Sequence, residues 1–292
     1  MRYRFIDAEK VNYPIRLMCR VLRVSPSGYY AWRVRKPSRR AIENASLLVS
    51  IRAVHAKSKR RYGSPRVCQE LGAAGRRVSR KRVARLMRQN GLRAVGKRRF
   101  RVTTQSEHKR RIAPNLLARE FRVTRPNRAW VGDITYVPTM EGWLYLAVLI
   151  DLYSRRVVGW AISDRITDDL VVDALQMAIT RRQPRPGLIV HSDRGSQYAS
   201  AAHLKLLEDH KFRASMSRRG DCWDNAVAES FFATLKRELG IDCWMYPRSS
   251  VRRWLIDYIE CFYNEERRHS TINYESPAGY ERRFTRRTRR TR

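Results

Sequence analysis

Three acids in this 292-residue sequence stand in settings that suit shared chemistry. Asp133 lies inside the strand-like run Ala129-Trp130-Val131-Gly132-Asp133-Ile134-Thr135-Tyr136-Val137. Asp193 closes Leu188-Ile189-Val190-His191-Ser192-Asp193. Glu229 falls in the stretch from Asp221 to Gly240, which reads as a helix with Asp224 as N-cap and Gly240 as stop. Ala228, Phe232, Leu235 and Leu239 recur there at helical spacing, so that stripe faces a core. Lys236 follows Glu229 by seven residues, nearly on the same face and about 10 Å along the axis. Asn225 lies one turn before Glu229, suited to capping or positioning the helix. His191 shares a strand face with Asp193 and suits orientation of that carboxylate, or packing, better than acid–base duty.

Three carboxylates brought together repel, and without a cation at least one keeps its proton. Divalent cations relieve that cost, and hard oxygen donors select Mg²⁺ or Mn²⁺. Two such ions about 3.5–4 Å apart serve in-line displacement at phosphorus, with water or a 3′-hydroxyl as attacking group. Asp133, Asp193 and Glu229 are thus candidate metal ligands and catalytic residues. The Gly-rich phosphate loop that ends in Lys-Ser/Thr is absent, which argues against ATP use.

The elements that must position these acids are legible in the pattern. Strands are expected at Trp130–Pro138, Trp143–Leu152, Arg156–Ser163, Leu188–Asp193 and Phe212–Ser217. Helices are expected from Thr167, over Ala201–His210, around Glu229 and over 247–264. Three consecutive strands followed by alternating helices and strands predict an α/β fold, a mixed five-stranded sheet with helices on its faces. This core should run over 127–281, with residues 282–292 a disordered Arg-rich tail.

Upstream, residues 44–93 carry three helical patterns. The last starts at Ser79, buries Val83, Leu86 and Met87, and stops at Gly91. Its other face holds Arg80, Lys81, Arg82, Arg85 and Arg88, candidate DNA contacts in a helix-turn-helix-like domain. Residues 1–43 read as a basic helical segment whose Tyr29, Tyr30 and Trp32 suit a small core or stacking on bases. Residues 94–126 read as a basic arm that tracks phosphates.

Sixty-two Lys and Arg against 27 Asp and Glu leave a formal charge of +35, which points to a polyanionic partner, nucleic acid before membrane. No run approaches a membrane span. Five scattered cysteines fit reduced thiols.

With these motifs in hand, the chain resembles the second-frame product of insertion sequences of the IS-three family, whose catalytic core is of the retroviral-integrase type. The resemblance rests on Trp130-Val131-Gly132-Asp133-Ile134-Thr135-Tyr136, His191-Ser192-Asp193-Arg194-Gly195-Ser196-Gln197-Tyr198 and Asp224-Asn225-Ala226-Val227-Ala228-Glu229-Ser230-Phe231-Phe232. The spacing of 35 residues between Asp193 and Glu229 belongs to it, as do Tyr62-Gly63-Ser64-Pro65-Arg66 and the end motif around Tyr263-Asn264 and Arg268-His269-Ser270. It implies an RNase H-like core, Mg²⁺ on the Asp-Asp-Glu triad, cleavage at element ends, strand transfer to new DNA, and Lys236 at the terminal DNA. It also implies fusion to a first-frame product, a homo-oligomer on DNA, and a bacterial, cytoplasmic, nucleoid-associated setting. Two alternatives stay open from the residues: a non-catalytic DNA-binding regulator of transposition, and an RNase H-type nuclease.

Overall fold

The computed structural model describes residues 1–95, 110, 112–218, 222–239 and 243–290. Three short helices come first: α1 (Arg2–Glu9), α2 (Ile15–Val21) and α3 (Pro26–Val34). They close around Ile6, Met18, Cys19 and Tyr29, with Tyr3 and Trp32 packed beside them. Tyr29 and Trp32 therefore serve a core, while Tyr30 stays exposed.

Next come α4 (Arg39–Lys57), α5 (Ser64–Ala73) and α6 (Arg80–Gln89). Each start has a local cause. The Ser38 and Ser79 hydroxyls accept from Ala41 and Arg82 backbone amides, and Pro65 occupies the first turn of α5. Gly91 takes φ +66° just past α6, a left-handed turn that favours glycine. Leu47, Ile51, Val67, Leu71, Val83, Leu86 and Met87 form the core of this three-helix unit.

The sheet follows: β1 (Ala129–Thr139), β2 (Gly142–Asp151), β3 (Val157–Ser163), helix α7 (Asp168–Arg182), β4 (Ile189–Ser192), helix α8 (Ala201–Asp209) and β5 (Arg213–Met216). Spatial order is β3-β2-β1-β4-β5. The β1–β2 and β2–β3 pairs are antiparallel, and β1–β4 and β4–β5 are parallel. This is the mixed sheet expected from the strand pattern, with hairpins early and helical crossovers later. A Cβ at Gly159 would collide with the Ala174 carbonyl and with Ala178, so glycine there lets α7 lie close on β3.

After β5 a 3₁₀ turn (Cys222–Asn225) leads into α9 (Ala226–Leu239), then α10 (Arg248–Asp257), a π-helical turn (Tyr258–Tyr263) and α11 (Pro277–Arg290). One sheet face is covered by α9, α10 and the π turn, through Val131, Leu146, Val148, Phe232, Leu235, Leu255 and Ile259. The other is covered by α7 and α8, through Trp130, Leu149, Leu175 and Leu207. Because strand side chains alternate, this parity decides which face each residue of β1 serves.

Two expectations are corrected and one is refined. Asp224 does not cap α9: it sits in the 3₁₀ turn, and its carboxylate accepts from arginines. The helix expected over 247–264 is present, as α10 continued by a π turn. The stretch expected as a disordered tail from 282 is helical to Arg290. Glu281 anchors that helix by accepting from Ser154, Arg156 and Arg182, and Phe284 packs edge-on against Tyr153. The arm's clusters Lys97-Arg98-Arg99 and Lys109, with Arg111, lie outside the described residues; Arg110 pairs with Asp168.

Candidate active site

Parity on β1 sends Asp133 to the face that carries Ala129 and Val131, and that face is roofed by α9. Its register partner is Val148, a member of the same core. Asp193 follows the last residue of β4, and β4 lies parallel beside β1. Glu229 is in the first turn of α9, and Asn225 donates through Nδ2 to the Gly132 carbonyl at 3.3 Å. That bond ties the entry of α9 to the backbone just before Asp133. Neighbouring strands and this tie bring the three sequence-predicted acids into one region.

Their charges register on one another. Burial, then the Asp193 charge, then that of Glu229, push the Asp133 carboxyl well above the usual carboxylate range. Burial and Asp193 raise Glu229 as well. Each aspartate accepts a short local bond: Ile134 N–H donates to Asp133 Oδ1 at 2.8 Å, and Gly195 N–H to Asp193 Oδ1 at 2.9 Å. Among the described residues, no three His, Cys, Asp or Glu side chains already stand close enough to share one ion.

Lys236 lies half-buried on α9, its ammonium 4.7 Å from the ring centre of Tyr136 on β1. Burial lowers its pKa, and the nearby Asp133 charge opposes that shift. The amine thus stands at the rim of the carboxylate region, held partly by a cation–π contact.

His191 is fully buried, with Nδ1 2.8 Å from the Ser215 hydroxyl and Nε2 3.3 Å from that of Ser217. Burial lowers its pKa to about 4, so the ring is neutral near pH 7. Both nitrogens are committed to the β5 side, which supports the packing and orientation reading over acid–base duty. Asn225 is buried as well and serves β1 rather than an acid.

On α6, Arg80, Lys81, Arg85 and Arg88 are exposed. Arg82 differs: it bonds Asn44 at 2.9 Å and Glu43 at 3.3 Å on α4. The helical wheel placed it with the other cations, but acceptors on the neighbouring helix draw it inward.

Two neighbours of the site have surroundings that the sequence reading did not give them. Tyr198 is buried beside both aspartates, and burial and their charges push its hydroxyl pKa well up. Its place five residues after Asp193 was the available signal. Asp224 is buried and holds Arg218, Arg119 and Asn115 together. The Arg218 bonds, then Arg119, hold its carboxyl far below the usual range. Its partners come from two stretches, Arg218 close by and Asn115 with Arg119 more than a hundred residues upstream.

Comparison with known proteins agrees with this architecture. Two models described as "Integrase core domain" match residues 123–222 and 210–277, and an "HTH-like domain" model matches 41–100. The chain is 43% identical over 267 residues to the "Insertion element IS600 uncharacterized 31 kDa protein" of Shigella sonnei, covering 91% of this chain and 98% of that one. Among solved structures it is similar to the HTLV-2 integrase catalytic core domain in complex with magnesium. There the TM-score is 0.43 with 18% identity, over 55% of this chain and 99% of that one. It is 45% identical over 284 residues to "Transposase InsF for insertion sequence IS3A" of Escherichia coli (strain K12), covering 96% of this chain and 98% of that protein. Identity at that level along nearly the whole length, with the integrase-core and HTH-like matches, makes this chain a member of the IS3 family of insertion-sequence transposases.

Proposed function

We propose that Asp133, Asp193 and Glu229 are the catalytic carboxylates with which this transposase cuts element ends and joins them to new DNA. The observation that carries this reading is the approach of the three acids, two from the ends of adjacent parallel strands and one from the helix above them, close enough that the Asp193 charge bears on both Asp133 and Glu229. A set of like charges part-buried in one place is costly, and such sites are kept where chemistry uses them.

The donor set suits Mg²⁺ or Mn²⁺: three carboxylates, all oxygen, with the repulsion a divalent cation offsets. Asp133, Asp193 and Glu229 would hold two ions, which supply activation of the attacking oxygen and stabilisation of the leaving one. The protein's own part is placement. The Gly132–Asn225 bond keeps Glu229 over Asp133, and His191 keeps the β4 end in register with β5. Lys236 offers a cation to the terminal phosphates.

The basic helices of 44–93 grip DNA, with Arg80, Lys81, Arg85 and Arg88 facing phosphate and Arg82 bracing α6 on α4. The arm of 94–126 follows the duplex into a core of 127–281. The active form is an oligomer on DNA fused to a first-frame product of the same element. Among the described residues no helix is long and apolar enough to cross a membrane; action at the nucleoid follows from the DNA substrate.

The test supplies DNA carrying the element ends, the first-frame protein and Mg²⁺, then follows nicking and joining. Asp133→Asn, Asp193→Asn and Glu229→Gln should each abolish both while DNA binding persists. Joining retained by any one of them overturns the assignment. Binding without turnover in the unaltered protein would favour a regulator, and preferential cutting of RNA–DNA hybrid a nuclease.

A further inference from the structure

Two segments far apart in the chain interlock beneath the catalytic helix. The Tyr62 hydroxyl accepts from the backbone N–H of Arg268, 206 positions away, at 2.9 Å, and donates to the Glu266 carbonyl at 3.3 Å. Arg66 donates through Nε to the Arg268 carbonyl at 2.8 Å. The Arg268 guanidinium returns the contact by pairing with Glu70 on α5. The helix-turn-helix-like unit is therefore fastened to the C-terminal part of the core by bonds in both directions.

The same joint reaches α9. Glu238 lies on α9 two residues past Lys236, and its carboxylate is buried. Arg267 grips it with two bonds of 2.8 Å, Tyr258 donates at 2.9 Å, and Arg66 stands 4.0 Å away. Arg61 donates to the Glu238 backbone carbonyl at 3.0 Å and lies 4.3 Å over the Phe262 ring. That carbonyl belongs to the last turn of α9, where acceptors lack partners within the helix and the dipole favours a cation. Two arginines that flank Tyr62 thus hold the end of the helix that carries Glu229 and Lys236.

We propose that Arg61, Tyr62 and Arg66 are positioning residues that couple DNA held by the basic helices to the placement of α9, and with it Glu229 and Lys236. The proposal rests on the catalytic reading above. Its physical basis is that the joint is made of directed hydrogen bonds and one buried ion pair, so a shift of α5 is passed on rather than absorbed. A surface that merely glued two units together would need no contact with the catalytic helix.

The decisive experiment measures amide hydrogen exchange in the full chain, without metal, with and without double-stranded DNA from the flanks of this reading frame. In the unaltered protein that DNA should slow exchange in α6 and, by about tenfold, across residues 226–239. In Arg61→Ala/Arg66→Ala the α6 protection and DNA affinity should persist while the α9 response disappears. Tyr62→Phe, which keeps the ring, should show the same separation and settles the matter if the double variant unfolds. In Mg²⁺ turnover assays both variants should lower kcat with little change in KM for DNA. An α9 response that is absent in the unaltered protein, or intact in the folded variants, overturns the coupling. Asp133→Asn should keep the DNA-induced slowing across 226–239 while abolishing joining, so failure of the catalytic assignment and failure of the coupling read out separately.

Discussion

Asn225 donates its side-chain amide to the backbone carbonyl of Gly132, 3.3 Å away, joining the entry of α9 to the strand position just before Asp133. Among the described residues Asn225 Oδ1, which is buried, meets no hydrogen-bond donor, so the side chain is held through its amide nitrogen. Asn225→Ala removes the tie and lets Glu229 drift over Asp133. Misplacement near 1 Å costs on the order of a hundredfold in rate, and we expect a loss of about that size in kcat with DNA affinity retained. Single-turnover joining kinetics alongside a binding titration check it.

The raised carboxyls make a signed pH prediction. Asp133 and Glu229 hold protons in the folded chain over a range where the unfolded chain has lost them. Metal-free stability should therefore fall as pH rises upward from the ordinary carboxylate range. Asp133→Asn removes the repulsion and should raise the metal-free Tm at pH 7.5 by roughly 2–4 °C while abolishing joining. Mg²⁺ should raise the Tm of the unaltered protein and leave the variant nearly unmoved. Thermal melts across pH, with and without Mg²⁺, measure all three.

The buried histidines act in the opposite direction. His191 and His203 are pushed down to about 4 and His269 to about 3, chiefly by burial. Their folded forms refuse the proton that the unfolded chain accepts below its ordinary value near 6.5. Stability from this source is complete above pH 6.5 and is lost as pH falls toward 4. The denaturant midpoint should drop over that window, and His191→Gln should flatten part of the drop. A midpoint unchanged between pH 6.5 and 4.5 would contradict it.

The α6 cations separate by salt. Arg85→Ala or Arg88→Ala should weaken DNA binding and reduce the slope of log K against log salt by about one unit each. Arg82→Ala should leave that slope unchanged and instead lower stability, because Arg82 already bonds Glu43 and Asn44. Binding isotherms at several salt concentrations, paired with melts, distinguish the two effects.

The strands were legible as short apolar runs, and the nearly continuous one of β2 marks a strand covered on both faces. The three acids stood out because Asp133 interrupts an apolar strand, Asp193 closes one and Glu229 sits beside a helical core stripe. Asp224 was misread as a cap because a cap is a local inference, whereas its partners Arg119, Arg218 and Asn115 are chosen by tertiary approach. The α4 bonds of Arg82 were out of reach for the same reason: a helical wheel shows which way a side chain points, not whether a neighbour offers an acceptor.

The amino-acid order alone determined the alternation of strands and helices, the excess of cations and the residue types available for chemistry, since these depend on neighbours within a few positions. Only the tertiary structure decided that β4 lies beside β1, that Gly132 accepts from Asn225, and that Tyr62 meets Arg268. Those pairings depend on which surfaces close over which, a choice made by burial across the whole chain and carried by no single stretch of it.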